Sequence, residues 1–344
     1  MVSETIVRAP VGDYAELKRI LRAEGLFVVP WGFYSWKFSS AAALLAGTIA
    51  LALWSPNPAV LVFSAIGFGL MLTQVGMLGH DVAHRQVFRR GRMVGVTGWV
   101  LGNLLMGVSY SWWTQKHNRH HANPNHITKD PDAVYPMIVY SSAQIPNTPS
   151  FFRPLIAIQA FLYPVFGSFL FVTMRSASLK HLFQKSAKAV TMQSIGLLAH
   201  LALFVLLLTQ LGGWGAALIF LVLSQVSFSL YNMSIFAPNH KGMPMIDDDE
   251  PQDFFRTQVL TARNVRGSRF VDFLYGGLNY QIEHHLFPTM PRKHLGAAQP
   301  LVRRFCEQRD VSYHETTVAG SYREIFSHLH RVSAPARGPR ERTA

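Results

Sequence analysis

Cysteine is almost absent. The single Cys306 excludes a disulfide framework, a thiolate-bound iron–sulfur cluster and an all-cysteine zinc site. Any redox metal must therefore rest on histidine, carboxylate or amide ligands. Charge is scarce as well: 15% of the 344 residues are charged and 49% are hydrophobic. No charged side chain lies between Lys37 and Asp81, and none between Lys188 and Lys241. Each gap is about twice the ~20 residues that cross a bilayer, so each reads as a hairpin of two helices. Acids are the scarcer sign, 19 against 32 Lys and Arg, for a formal charge of +13. A basic balance can signal nucleic acid. Here the charges flank apolar runs, which fits the positive-inside pattern instead, and no nucleic-acid partner is expected. Residues 1–30 lack an apolar signal-peptide core, and no internal repeat is visible.

What is present divides at those gaps. Residues 1–37 read as a cytoplasmic lead-in, with Tyr14, Leu17, Ile20 and Leu21 at helical spacing. Trp31 to Phe38 read as an interfacial aromatic belt ahead of a first span, Ser39–Trp54. The turn Ser55–Pro58 leads to a second span, Ala59–Leu78. Arg85, Arg89, Arg90 and Arg92 mark its end as cytoplasmic. Residues 93–115 read as interfacial or re-entrant, and Pro154–Met174, with an arginine at each end, as a surface or buried helix. Spans Ala189–Gln210 and Trp214–Phe236 follow. Residues 38–300 form the membrane domain and 301–344 a cytoplasmic C-terminal segment, disordered from about Ser333. Asp247 to Glu250 read as a solvated acidic loop.

Seven of the fifteen histidines stand in three short clusters: His80 and His84; His117, His120 and His121; His284 and His285. Residues three and four apart share a helix face, so His80 and His84 point the same way, as do His117, His120 and His121. Gln281, His284 and His285 repeat the spacing of His117, His120 and His121 with an amide first. Imidazole suits Fe, Cu, Zn and Ni. Seven or eight imidazoles exceed the needs of one ion and suit two.

The boxes HDVAH, HNRHH and QIEHH, in this order and membrane context, resemble those of the membrane fatty acid desaturase family over residues 35–300. The Gln-first third box resembles its front-end branch, which adds a double bond between an existing one and the carboxyl end. The resemblance implies an all-α integral membrane fold: four spans in two hairpins, interfacial helices, and a cytoplasmic cap of boxes holding a diiron centre. It also implies O2 as co-substrate, two external electrons per turnover, and a further histidine ligand between the second hairpin and the third box. His240 matches that position best. The family often has an Asn four residues before it; here Phe236 stands there, with Asn232 and Asn239 the nearest amides. Gln281 is a candidate to bind through its carbonyl oxygen, to hydrogen-bond a water or simply to hold the helix, and Asn239 is a candidate for a metal ligand or a supporting residue. Asp81 and Glu283 are expected to accept the distal N–H of box imidazoles, with direct ligation the alternative. His126, five residues past the second box, is the rival eighth histidine, but Pro124 interrupts any helix that would carry it back. His200, inside a span, reads as a helix-packing residue. Phe68, Leu72, Trp112 and Trp113 are candidate linings of an acyl tunnel.

The expected activity is desaturation of an acyl lipid or acyl thioester in a bacterial cell membrane, with boxes and both termini cytoplasmic. No His-Pro-Gly-Gly haem motif occurs. A separate donor is implied, a ferredoxin or a cytochrome b5 with its reductase, drawn to the basic cytoplasmic face. That face would equally attract anionic lipid headgroups. A hydroxylase or ketolase with similar boxes is the first rival. A metal-ion transporter is the second; against it, only His200 lies within a span.

Overall fold

The computed structural model describes residues 12–135, 137–184, 187–247 and 253–338. Among these the only strand pair is Asn264–Val265 (β1) with Glu315–Thr316 (β2), two residues each and parallel. Most other side chains are positioned by helices, with turns and loops placing the rest.

Helix α1 (Asp13–Ala23) precedes α2 (Trp31–Trp54) and α3 (Pro58–Ala83), the first hairpin. The aromatic run sits inside α2, which starts at Trp31 rather than Ser39 because nothing after Pro30 breaks a helix. Asn57 caps α3, its Oδ1 accepting from the Ala59 amide at 2.9 Å, with Pro58 at the first helical position. The helix continues past Leu78 and carries the first histidine cluster on its last turns.

Helix α4 (Gly91–Trp99) runs on as a π-helix over Val100–Met106, and α5 (Tyr110–Ala122) leaves at 107°. The segment expected to be interfacial or re-entrant is thus sharply bent, the shape of a broken span or of a re-entrant loop. Gly107 makes the bend at φ +66°, and a Cβ there would collide with the His200 ring. The carbonyls freed at the tip have partners: Leu104 O is 3.1 Å from His200 Nδ1, and Met106 O accepts from Arg175 Nη2 at 3.4 Å. His200 is thus a packing and capping residue.

Residues 153–182 form three helices, α6 (Arg153–Ala157), α7 (Gln159–Ser168) and α8 (Leu170–Leu182), interrupted at Ile158 and Phe169. The first break turns the chain by 102°, so Pro154–Met174 is no single straight helix.

Helices α9 (Ala187–Thr209) and α10 (Trp214–His240) make the second hairpin. In lipid, burying apolar surface between helices gains little, so close packing and interhelical hydrogen bonds hold them. A Cβ on Gly69 of α3 would collide with Ser224 O of α10, which shows how closely the two approach. Asn232 Nδ2 donates to Thr73 Oγ1 at 2.9 Å across the same interface. Leu198, Leu201 and Leu218 point outward, 56–64% exposed, as lipid-facing side chains do. Among the described residues, four helices are long and apolar enough to cross a membrane, or up to six if each bent pair is one span.

The remaining helices build the cap: α11 (Phe254–Leu260), α12 (Arg269–Tyr275), α13 (Gln281–Leu286), α14 (Leu295–Glu307), α15 (Val318–Val332) and α16 (Ala334–Arg337). Its core joins Leu17 and Leu21 of α1 to Phe255, Ile282, Leu286, Val302 and Phe305. The expected boundary at residue 300 falls inside α14, and α1 packs onto this cap. Within the expected disordered tail, Arg337 donates to Ala157 O and to His330 O. Residues 339–344 and Asp248 to Glu250 lie outside the described residues.

Candidate metal centre

Four elements deliver histidines to one end of the molecule. Helix α3 carries His80, with His84 capping it. Helix α5 carries His117, His120 and His121. Helix α10 ends on His240, and α13 carries His284 and His285. The i, i+4 spacing puts His80 and His84 on one face, ring centroids 4.7 Å apart.

The eight imidazoles fall into two groups. Ligand atoms of His80, His84, His117, His121 and His284 lie within 4.8 Å of one another, and so do those of His120, His240 and His285. In the first group Nε2 faces Nε2: His117–His84 at 2.9 Å, His117–His121 at 3.1 Å, His121–His284 at 3.2 Å. In the second, His120 and His240 face each other at 3.3 Å. One Nε2 has one in-plane lone pair or one proton, so His117 cannot be satisfied by two neighbours while His121 is as well. A shared cation satisfies them all. Two nitrogens at ~2.0–2.1 Å from one ion stand about 2.9–3.4 Å apart at ordinary ligand angles. The buried His80 Nε2 and His285 Nε2 have no hydrogen-bond partner, as ligand atoms facing a metal position would not.

In the three-histidine group every distal nitrogen has an acceptor. His120 Nδ1 donates to Asp130 at 3.0 Å, His240 Nδ1 to Thr261 O at 3.1 Å, and His285 Nδ1 to Gln258 Oε1 at 2.8 Å. That fixes the proton on Nδ1 and makes each Nε2 the lone-pair atom that can ligate. Asp130 also accepts from the Asn125 and Asp132 amides, both at 2.8 Å. In the five-histidine group His121 Nδ1 and His284 Nδ1 are buried without a partner. Burial first, then neighbouring imidazoles, holds His284 and His285 well below the usual imidazole range, so both are neutral and able to ligate.

A third group, His120 with Asp130 and Asp132, is already neutralised. Lys116 pairs with Asp132, and Lys241 Nζ donates to Asp132 O at 2.5 Å. Burial would raise the Asp132 carboxyl, but Lys116, His120 and Lys241 hold it well below the usual range.

Gln281 Nε2 lies 2.9 Å from His240 Nε2, and its Oε1 accepts from Asn239 Nδ2 at 2.9 Å. Both amides therefore stand at the three-histidine group. The two carboxylates depart from expectation. Glu283 accepts from Tyr313 Oη and Asn264 Nδ2, both at 2.7 Å, and from no imidazole. Burial pushes it up to about 7 against those lowering bonds. Asp81 pairs with Arg292 Nε at 2.9 Å and stands 3.7 Å from His80 Nδ1, too far for a hydrogen bond. Of the four expected tunnel residues, Phe68 and Leu72 are buried in the membrane core, Phe68 against Phe204 and Phe220. Trp113 stacks on His117 at 4.6 Å, and Trp112 is half-buried on α5. His126 is in neither group; its Nδ1 accepts from the Thr128 and Lys129 amides at 3.3 Å. Asp130, Gln258 and Thr261 escape sequence reasoning, since nothing in their spacing ties them to the boxes.

The fatty acid desaturase family profile matches residues 55–317. An acyl-lipid (9-3)-desaturase of Physcomitrium patens is 31% identical over 94% of this chain, which spans 63% of that relative. A Delta(5) fatty acid desaturase of Caenorhabditis elegans is 29% identical over 88% of this chain and 69% of its own length. A Delta(8)-fatty-acid desaturase of Euglena gracilis is 29% identical over 88% of this chain and 74% of its own. With a histidine cap on apolar helices and a family match over most of its length, the chain belongs to the membrane-bound fatty acid desaturase family.

Proposed function

We propose that this chain is an O2-dependent acyl desaturase of the front-end type, acting on an acyl lipid or acyl thioester. The observation that carries this is the convergence of eight imidazoles in two groups at the end of a helical membrane domain. His80, His84, His117, His121 and His284 would hold one iron; His120, His240 and His285, with the Gln281 amide beside them, would hold the other. When bound, the two irons supply O2 activation: O2, two electrons and two protons become water as the acyl chain gives up two hydrogens.

The residues shape the conditions for that chemistry. Asp130, Gln258 and the Thr261 carbonyl set three imidazoles in the ligating tautomer. Trp113, stacked on His117, shields one side of the five-histidine group from water. All eight imidazoles except His117 and His121 are buried, so the oxidant is kept from bulk solvent. A cytoplasmic cap is supported by Arg85, Arg89, Arg90 and Arg92, which follow the cap end of α3 at once, as the positive-inside pattern favours. A ferredoxin, or a cytochrome b5 with its reductase, would supply the electrons at that basic face.

Expression in a host of defined fatty acid composition, followed by mass spectrometry of its lipids, tests the reading. A new acyl species lacking two hydrogens is expected. A species that has instead gained one oxygen atom identifies a hydroxylase and overturns desaturation.

A further inference from the structure

Arg263 is the largest fully buried side chain among the described residues, and its contacts are concentrated in one place. Its Nε donates to Pro238 O, and its Nη2 to Lys241 O at 2.5 Å. Its backbone amide donates to Asn239 O at 3.0 Å. Asn125 Nδ2 takes the fourth carbonyl, His240 O, at 3.1 Å. These four carbonyls close the end of α10, where no partner exists within the helix. His240 sits among them. On the other side Arg263 Nη1 pairs with Glu324 Oε2 of α15 at 2.5 Å.

Helix α15 meets the same turn a second time. Pro238 has no amide hydrogen, so it leaves Ser234 O without its helical donor. Tyr322 Oη of α15 donates to Ser234 O at 3.2 Å. Ile325 and Leu329 of α15 pack with Ala237, directly before the proline. The family match ends at residue 317, so this helix lies beyond it.

We infer that Arg263, anchored by Glu324 and supported by Tyr322, is a positioning residue that sets His240 against His120 and His285. Helix α15 is thereby part of the support that holds the metal centre. A buried cation is costly unless paired and hydrogen-bonded. Arg263 meets that cost with bonds to Pro238, Asn239 and Lys241 around His240 and to α15, an arrangement suited to fixing one turn of helix. This inference rests on the reading that the three-histidine group holds an ion.

The test is titration of the metal-free, full-length chain with Fe(II) without oxygen, and with Co(II), whose visible spectrum reports ligand geometry. Wild type should take two ions. Arg263→Met should bind one as wild type does and the other about 10–100-fold more weakly, the usual cost of losing an orienting contact, with a changed cobalt spectrum. Arg263→Lys should recover part of the loss. In a His240→Ala background, Arg263→Met should change nothing further, since the residue acts through His240. Two ions bound within about twofold of wild type and an unchanged cobalt spectrum would overturn the inference, as would a further loss in the His240→Ala background. If Arg263→Met does not fold, Glu324→Gln takes its place: weaker binding at one site supports the inference, and unchanged binding at both overturns it. A wild-type chain that takes fewer than two ions refutes the two-metal reading itself, a different failure.

Discussion

His240 and His126 pose the same question at the scale of one residue: which of two histidines outside the boxes completes the set. His240 Nε2 faces His120 Nε2, while His126 Nδ1 closes a local turn beside Asn125, a residue held at φ +55°. His240→Ala should lower bound iron from two ions to about one per chain and abolish turnover while the protein still inserts in the membrane. His126→Ala should keep both ions and most of the activity. Iron counted per purified chain decides between them. Asp130→Asn gives a graded result, because the amide keeps an acceptor but loses the charge that holds His120; it should weaken one ion by about 10–100-fold and leave the other unchanged. The imidazoles are legible in the sequence because they stand in three short clusters at helical spacing, although the second and third clusters each divide between the two groups. Asp130, Gln258 and Thr261 are not, since they reach the site through turns and helix packing that no periodicity records. Glu283 misleads for the opposite reason. Its place beside His284 suggests an imidazole partner, but α13 turns it toward Tyr313 and Asn264.

At the scale of elements, charge is the informative signal. The two charge-free stretches match the two hairpins, and the segment before the second box bends back at Gly107. The breaks at Ile158 and Phe169 are hard to read, because the composition of Pro154–Met174 equals that of a span and its one internal proline, Pro164, stands at neither break. Single cysteines test the topology. The native Cys306 is buried, so the background should be low. Cysteines at Asn57 and Gly212 should react only from outside; a side chain at Gly212 meets open space. Those at Arg90, Arg119 and Lys180 should react only from inside. Labelling of Arg119 and Lys180 from opposite faces would make residues 153–182 a crossing and contradict the four-span arrangement.

At the scale of the whole molecule, the cap and the membrane helices depend on different forces. The membrane helices are held by close approach and interhelical hydrogen bonds, whereas the cap has an aqueous-type apolar core that ties α1 to α13 and α14. Leu17 and Leu21 are fully buried there. Leu21→Ala should cost roughly 2–5 kcal/mol of cap stability, seen as unfolding of the cap at lower denaturant, with iron lost in the same transition. Loss of iron at a lower denaturant concentration than the cap's unfolding would separate α1 from the metal centre. Sequence patterning divides the chain at residues 37 and 300, but α14 runs across the second boundary. Patterning marks where a chain enters a bilayer, and it does not mark which flanking helices pack on one another.

The central claim is that the eight histidines form two metal positions, one with five imidazoles and one with three. The most direct measurement is anaerobic titration of the metal-free, full-length chain with Fe(II), following bound iron per chain. Two ions bound in two resolvable steps, with the weaker step removed by His240→Ala and the stronger one kept, is the result predicted. A single ion at saturation, or two ions whose binding is untouched by His240→Ala, would contradict it.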